Sequence, residues 1–118
     1  MDREKNRIAV ASSDGIVVNS HFGRADTFYI YEEKEGQIQY IETRKVEPVC
    51  NSGNHDDTKL KENLEKFLDC RCLLVSRIGD GAAALAESYG MDTYEIPGMI
   101  EESIKQLLNY EKVKNLFS

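Results

Sequence analysis

Cys72-Leu73-Leu74-Val75-Ser76-Arg77-Ile78-Gly79-Asp80-Gly81-Ala82-Ala83-Ala84-Leu85-Ala86 reads as a strand that feeds a helix. Cys72 to Val75 shows no polar alternation, so both faces of that strand should be buried. Gly79-Asp80-Gly81 opens a short Ala-rich helix, which Gly90 stops. Met91 to Ile96 supplies a further strand. Pro97-Gly98 then turns the chain into a last helix, with Ile100, Ile104, Leu107 and Leu108 on its buried face. Strands alternating with helices imply parallel pairing, because parallel neighbours need a crossover connection.

Upstream, Leu60, Leu64, Phe67 and Leu68 make one apolar helical stripe. That helix follows a polar loop from Pro48 to Asp56, with Asp56 or Asp57 as its cap. Ile8-Ala9-Val10-Ala11, within Arg7 to Ser12, is another short buried strand. Thr27 to Glu33 and Ile38 to Val46 form a hairpin whose turn, Lys34-Glu35-Gly36-Gln37, places Gly36 at positive φ. The order is β-β-β-α-β-α-β-α. A mixed five-stranded sheet in the order 3-2-1-4-5, with its second strand antiparallel and helices on both faces, satisfies the right-handed crossover rule. The expected fold is α/β, three layers of the ribonuclease H-like kind. It forms a single domain over residues 1–118 with a core from about residue 7 to 108.

The 118 residues suit one domain, and a chain 41% hydrophobic and 31% charged has an ordinary globular balance. The net charge of −6, with Lys and Arg scattered rather than clustered, argues against a nucleic-acid partner. No apolar run reaches the ~18 residues of a membrane span. Met1 to Arg7 is polar with no signal-like stretch behind it, so the expected location is the cytoplasm. Three cysteines without a secretory signal imply no disulfide framework and read as core residues, ligands or redox groups.

Strand direction sends particular loops to one end. With the first strand running up, the loops Ser12–Asp26, Pro48–Asp56 and Arg77–Gly79 all lie at the top, at a switch point of the kind where open α/β sheets bind ligands. His21, Cys50, His55 and Arg77 should gather there, beside helix N-termini near Asp57 and Asp80 that offer free amides to an anion. His21, in Asn19-Ser20-His21-Phe22-Gly23-Arg24-Ala25, is either a transition-metal ligand or a solvated loop residue. Phe22 can anchor that loop, and Gly23 lets the backbone turn. Cys50 and His55 can reach one metal, although their spacing is not that of a zinc finger. They also suit a Cys–His nucleophile pair or a helix-capping loop with an incidental thiol. Arg77 can pair with an anionic ligand or with surface carboxylates. Cys70 and Cys72 start a buried strand at the opposite end and read as packing residues. Tyr29, Tyr31 and Tyr40 read as sheet residues.

Ile8-Ala9-Val10-Ala11-Ser12-Ser13, His21-Phe22-Gly23-Arg24-Ala25, Phe28-Tyr29-Ile30-Tyr31-Glu32 and Arg77-Ile78-Gly79 occur in an order that resembles the dinitrogenase iron–molybdenum cofactor-binding domain family, which includes NifX-type proteins and the C-terminal part of NifB. The resemblance runs from Arg7 to about Leu108. It implies a ribonuclease H-like fold and a carrier that binds the iron–molybdenum cofactor or an iron–sulfur precursor and exchanges it with nitrogenase assembly proteins. By resemblance His21 and Cys50 are the metal ligands, and Arg77 contacts the anionic cluster. Arg24, His55 and Gly79 complete the expected cofactor-binding set. The Cys-x3-Cys-x2-Cys radical-chemistry domain of full NifB and the N-terminal helical domain of some relatives are missing, so no catalysis is expected. With few candidate ligands per chain, a homodimer sharing one cluster is a further expectation. The alternatives are a non-metal regulatory or protein-interaction module, and a Mg-dependent nuclease suggested by fold alone. The nuclease reading lacks the carboxylate set that two-metal chemistry requires.

Overall fold

The computed structural model describes residues 5–49 and 57–117. Among these residues seven strands and three α-helices follow in chain order: β1 Arg7–Ala11, β2 Val17–Val18, β3 Thr27–Lys34, β4 Gln37–Lys45, α1 Asp57–Glu65, β5 Cys70–Val75, α2 Asp80–Ser88, β6 Asp92–Glu95, β7 Gly98–Met99 and α3 Ile100–Leu116. Five strands form one mixed sheet in the order β4-β3-β1-β5-β6. β1 pairs antiparallel with β3 and parallel with β5, and β5 pairs parallel with β6.

β1 is central because it has no polar face: Ile8, Ala9, Val10 and Ala11 are all fully buried. Alternation splits them. Ala9 and Ala11 join a core with Leu60, Leu64 and Phe67 from α1 and the turn after it, and with Ala86 of α2. Ile8 and Val10 join a second core with Ile100, Ile104 and Leu107 of α3. The sheet is therefore covered by α1 and α2 on one face and by α3 on the other.

The structure adjusts several expectations. α1 ends at Glu65, so Phe67 folds back into the core while Leu68 points to solvent and drops out of the apolar stripe. β5 starts at Cys70 rather than Cys72. A register shift between Arg7 and Ile8 leaves Arg71 without a partner on β1, so Cys70 and Cys72 reach opposite cores. Both thiols are fully buried, and burial pushes the Cys70 thiol up to about 12 and the Cys72 thiol higher still, so both remain protonated packing groups. The hairpin turn uses positive φ at Glu35 as well as Gly36. Pro97-Gly98 does not lead straight into the helix. Gly98–Met99 first pair antiparallel with Val17–Val18, which ties the Ser12–Asp26 loop to the start of α3. The amide of Ile100 donates to the carbonyl of Ile16 at 2.9 Å and closes that clip.

At the lower end, Arg44 of the edge strand β4 clamps the α1–β5 turn. Its guanidinium donates to both carboxylate oxygens of Asp69, at 2.9 and 2.7 Å, and to the Lys66 carbonyl at 2.7 Å. The hydrogen bonds from Arg44 hold the Asp69 carboxyl down, at about 2, below its ordinary 3.8. A carboxylate with a depressed folded-state pKa stabilises the fold above the unfolded value and loses that contribution as pH falls through the folded value. Wild type should therefore lose stability between pH 4 and 2 more steeply than Asp69→Asn. Both groups are partly exposed, so the difference should be about 1 kcal/mol or less. Parallel acid-unfolding curves for the two proteins would refute this role of the clamp. Among the described residues no helix is long and apolar enough to cross a membrane.

Candidate functional site

The carboxyl ends of β1, β5 and β6 share the upper end of the sheet. The chain leaves β1 through a loop that holds its own shape. The Asp14 carboxylate accepts from the amides of Ile16 at 2.9 Å and Val17 at 3.1 Å, and these bonds lower its pKa. The Ser12 hydroxyl accepts from the Gly15 amide at 2.9 Å. Asn19 Oδ1 accepts from the Ser13 amide at 3.0 Å.

After Asn19 the loop runs beside the exit of β5. The Ser76 amide donates to the Ser20 carbonyl at 3.1 Å, and the Phe22 amide donates to the Arg77 carbonyl at 2.8 Å. His21 and Arg77 thus face each other in an isolated parallel bridge. The next residue, Phe22, is buried and meets Phe28 edge-on at a centroid distance of 6.0 Å. Phe22–Arg24 form a 3₁₀ turn, with the Arg24 amide donating to the His21 carbonyl at 3.1 Å. Gly23 needs no positive φ there. One buried ring therefore sets the backbone from which His21 and Arg24 project into solvent.

Arg77 is exposed, and Ile78 follows with its amide donating to Glu95 Oε2 at 2.8 Å. Gly79 is the N-cap of α2, with no side-chain cap on the free amides of the first turn. The upper end therefore presents an imidazole, two guanidinium-bearing residues and a helix N-terminus. Ser76 Oγ, buried at the same junction, has no hydrogen-bond partner among the described residues.

Of the residues expected from sequence, His21, Arg24, Arg77 and Gly79 come together at this end. Cys50 and His55 lie outside the described residues. Among the described residues no three of His, Cys, Asp and Glu group closely enough to hold a metal ion. Cavities of about 840 and 360 Å³ lie elsewhere, the larger around Glu33, Arg71 and Glu111 at the lower end and the smaller beside α2, β6 and Tyr110, and none of His21, Arg24, Arg77 and Gly79 lines either. Glu95 is the positioning residue that sequence reading overlooked. Its place at the end of the strand beside β5 was the available signal.

The family described as dinitrogenase iron-molybdenum cofactor has a model that matches residues 4–110, nearly the whole chain. The chain belongs to this family. Among its relatives, the FeMo cofactor biosynthesis protein NifB of Frankia alni is 35% identical over 103 residues, covering 85% of this chain and 20% of that protein. The NifB of Chlorobaculum tepidum is 29% identical over 117 residues, covering 98% of this chain and 27% of the relative. The chain thus spans roughly a quarter or less of the curated relatives it matches. In three dimensions it is similar to a Thermotoga protein described as a NifB protein and solved by NMR, with a TM-score of 0.57, 20% identity and 88% of each chain covered. That likeness concerns the fold.

Proposed function

We propose that this chain binds an iron–sulfur or iron–molybdenum type cluster, or its precursor, as cargo and exchanges it with nitrogenase assembly proteins, acting as a carrier rather than a catalyst. The observation that carries the reading is the His21–Arg77 backbone bridge, which brings a residue with an imidazole, a residue with a guanidinium and the head of α2 to one end of the sheet in a member of the cofactor family.

The donor set bears on the kind of cargo. A preformed cluster brings its own sulfides and is anionic, so few protein ligands suffice. Guanidinium groups and amide N–H groups then stabilise its charge through hydrogen bonds to sulfur. In this reading His21 and Cys50 ligate a metal, Arg24, Arg77 and the amides after Gly79 meet the anionic surface, and His55 belongs to the same cofactor-binding set. The sheet order, with β3 antiparallel between two strands of the opposite direction, supports a ribonuclease H-like assignment. We place the exchange in the cytoplasm.

The test is an anaerobic titration of the purified chain with an iron–sulfur cofactor precursor, followed by visible absorption, for wild type and His21→Ala. Saturable binding is expected in wild type and about tenfold or greater weakening in the variant. The fold should persist, because the imidazole is exposed and the His21 backbone contacts remain. Equal binding in both would remove His21 as a ligand. No binding in either would favour a protein-interaction module of the same fold.

A further inference from the structure

The outer side of α3 and its C-cap carry large apolar groups that the fold leaves exposed, Tyr110 being covered in part by Tyr94, whose ring it meets edge-on at 5.7 Å. Tyr110, Val113 and Phe117 recur at helical spacing away from Ile104 and Leu107, and Leu116 adjoins them; Leu116 is 75% exposed and Phe117 85%. Single exposed apolar residues are ordinary, but a contiguous stripe marks an interaction surface. A second exposed apolar pair, Ile16 and Met99, sits at the opposite end of the same helix, joined by the β2–β7 clip. The two ends of the helix differ in charge, although Lys105 and the Arg71-paired Glu111 lie between them. Glu101 and Glu102 lie in its first turn, and Lys112 and Lys114 lie near its end. Among the described residues, neither Glu102 nor Lys112 has a hydrogen-bond or ion-pair partner.

We propose that α3 pairs antiparallel with α3 of a second copy of this chain. About a two-fold axis near the middle of the helix, Leu116 and Phe117 of each copy cover Met99 and Ile16 of the other, and Glu102 of each meets Lys112 of the other. A parallel pair would set each apolar end against its own counterpart but would oppose Glu102 to Glu102 and Lys112 to Lys112. Charge therefore selects the antiparallel orientation. The family model's match ends at residue 110, before Val113, Leu116 and Phe117.

The pairing has a consequence for cargo, which rests on the function proposed above. α3 starts at the upper end of the sheet and runs down, so the two upper ends point in opposite directions. Each copy then carries its own cargo on its own His21, in place of the single shared cluster that a homodimer suggests from sequence.

The test is sedimentation equilibrium of the full chain without cargo, so it stands apart from the titration above. Wild type should be a concentration-dependent dimer. Leu116→Asp with Phe117→Asp should weaken association by about 100-fold or more. Glu102→Lys should weaken it too, and adding Lys112→Glu should restore it. Circular dichroism should be unchanged in each, because none of these positions is buried. Monomeric wild type, whatever other partner the stripe then takes, overturns the proposal. So does a dimer that the apolar variants leave intact, or a Glu102→Lys defect that Lys112→Glu does not rescue.

Discussion

Phe28→Ala is expected to lower the folding free energy by about 3–5 kcal/mol, the range for removing a buried aromatic ring. Phe28 is fully enclosed on β3, opposite Ala11 of the central strand. Its ring lies 4.7 Å from that of Phe67 and 6.0 Å from that of Phe22, centroid to centroid. Alanine would leave a cavity bounded by three separate parts of the chain: the sheet, the turn after α1 and the 3₁₀ turn of the site loop. Their backbones are held by hydrogen bonds, so the cavity cannot fully collapse. Small domains have only about 5–15 kcal/mol of net stability, so this loss is a large share. Phe22 would also lose its edge-on partner, which should weaken cargo binding without touching His21. Urea unfolding measures the first effect, and Phe28→Leu, which keeps most of the volume, should cost much less. A loss below about 1 kcal/mol for Phe28→Ala would show that the ring is not the link between the loop and the core.

Gly15→Val should cost about 2–3 kcal/mol. Gly15 has φ of +77°, where an L-residue pays about 1–2 kcal/mol and a β-branched one is an outlier. An added Cβ would also sit 3.0 Å from Tyr29 Cε2 and Cζ. Tyr29 has little room to retreat, because its ring packs on Tyr40 and against the α3-side core. The loop would have to lift, straining the Asp14 bonds and the Ile16–Ile100 clip. Thermal unfolding gives the stability change, and faster amide exchange at Ile100 reports the clip. As a control, Gly81→Ala adds a Cβ in open space within α2 and should be neutral or slightly stabilising. If Gly15→Val melted like wild type, the close approach to Tyr29 would carry no constraint.

Much of this was legible from short stretches. Ile8 to Ala11 and Cys72 to Val75 lack polar alternation, so they could only be interior strands of a sheet covered on both sides. The limits of α2 were set by Gly79 and by Gly90 at φ of +87°. The convergence of His21 and Arg77 on one end followed from strand direction alone. The β2–β7 pair was not legible, because two residues show no periodicity and their partners are far apart in the chain. Leu68 looked like part of a stripe because helical spacing continues past Glu65 in sequence after the helix itself has ended. The second positive φ at Glu35 was hidden for a similar reason: that residue type does not announce it.

By itself, the sequence determined the element types, the two buried faces of the central strands, the mixed α/β class and, through its His-Phe-Gly-Arg-Ala and Arg-Ile-Gly segments, the family. These depend on neighbours along the chain, whose spacing alone decides which side chains share a face. Tertiary structure decided that the His21 and Arg77 backbones meet in one bridge, that Glu95 holds Ile78, and that the first loop is clipped to the head of α3. Each joins segments distant in sequence, and such contacts form only where packing of the two cores brings their free amides and carbonyls within hydrogen-bonding reach.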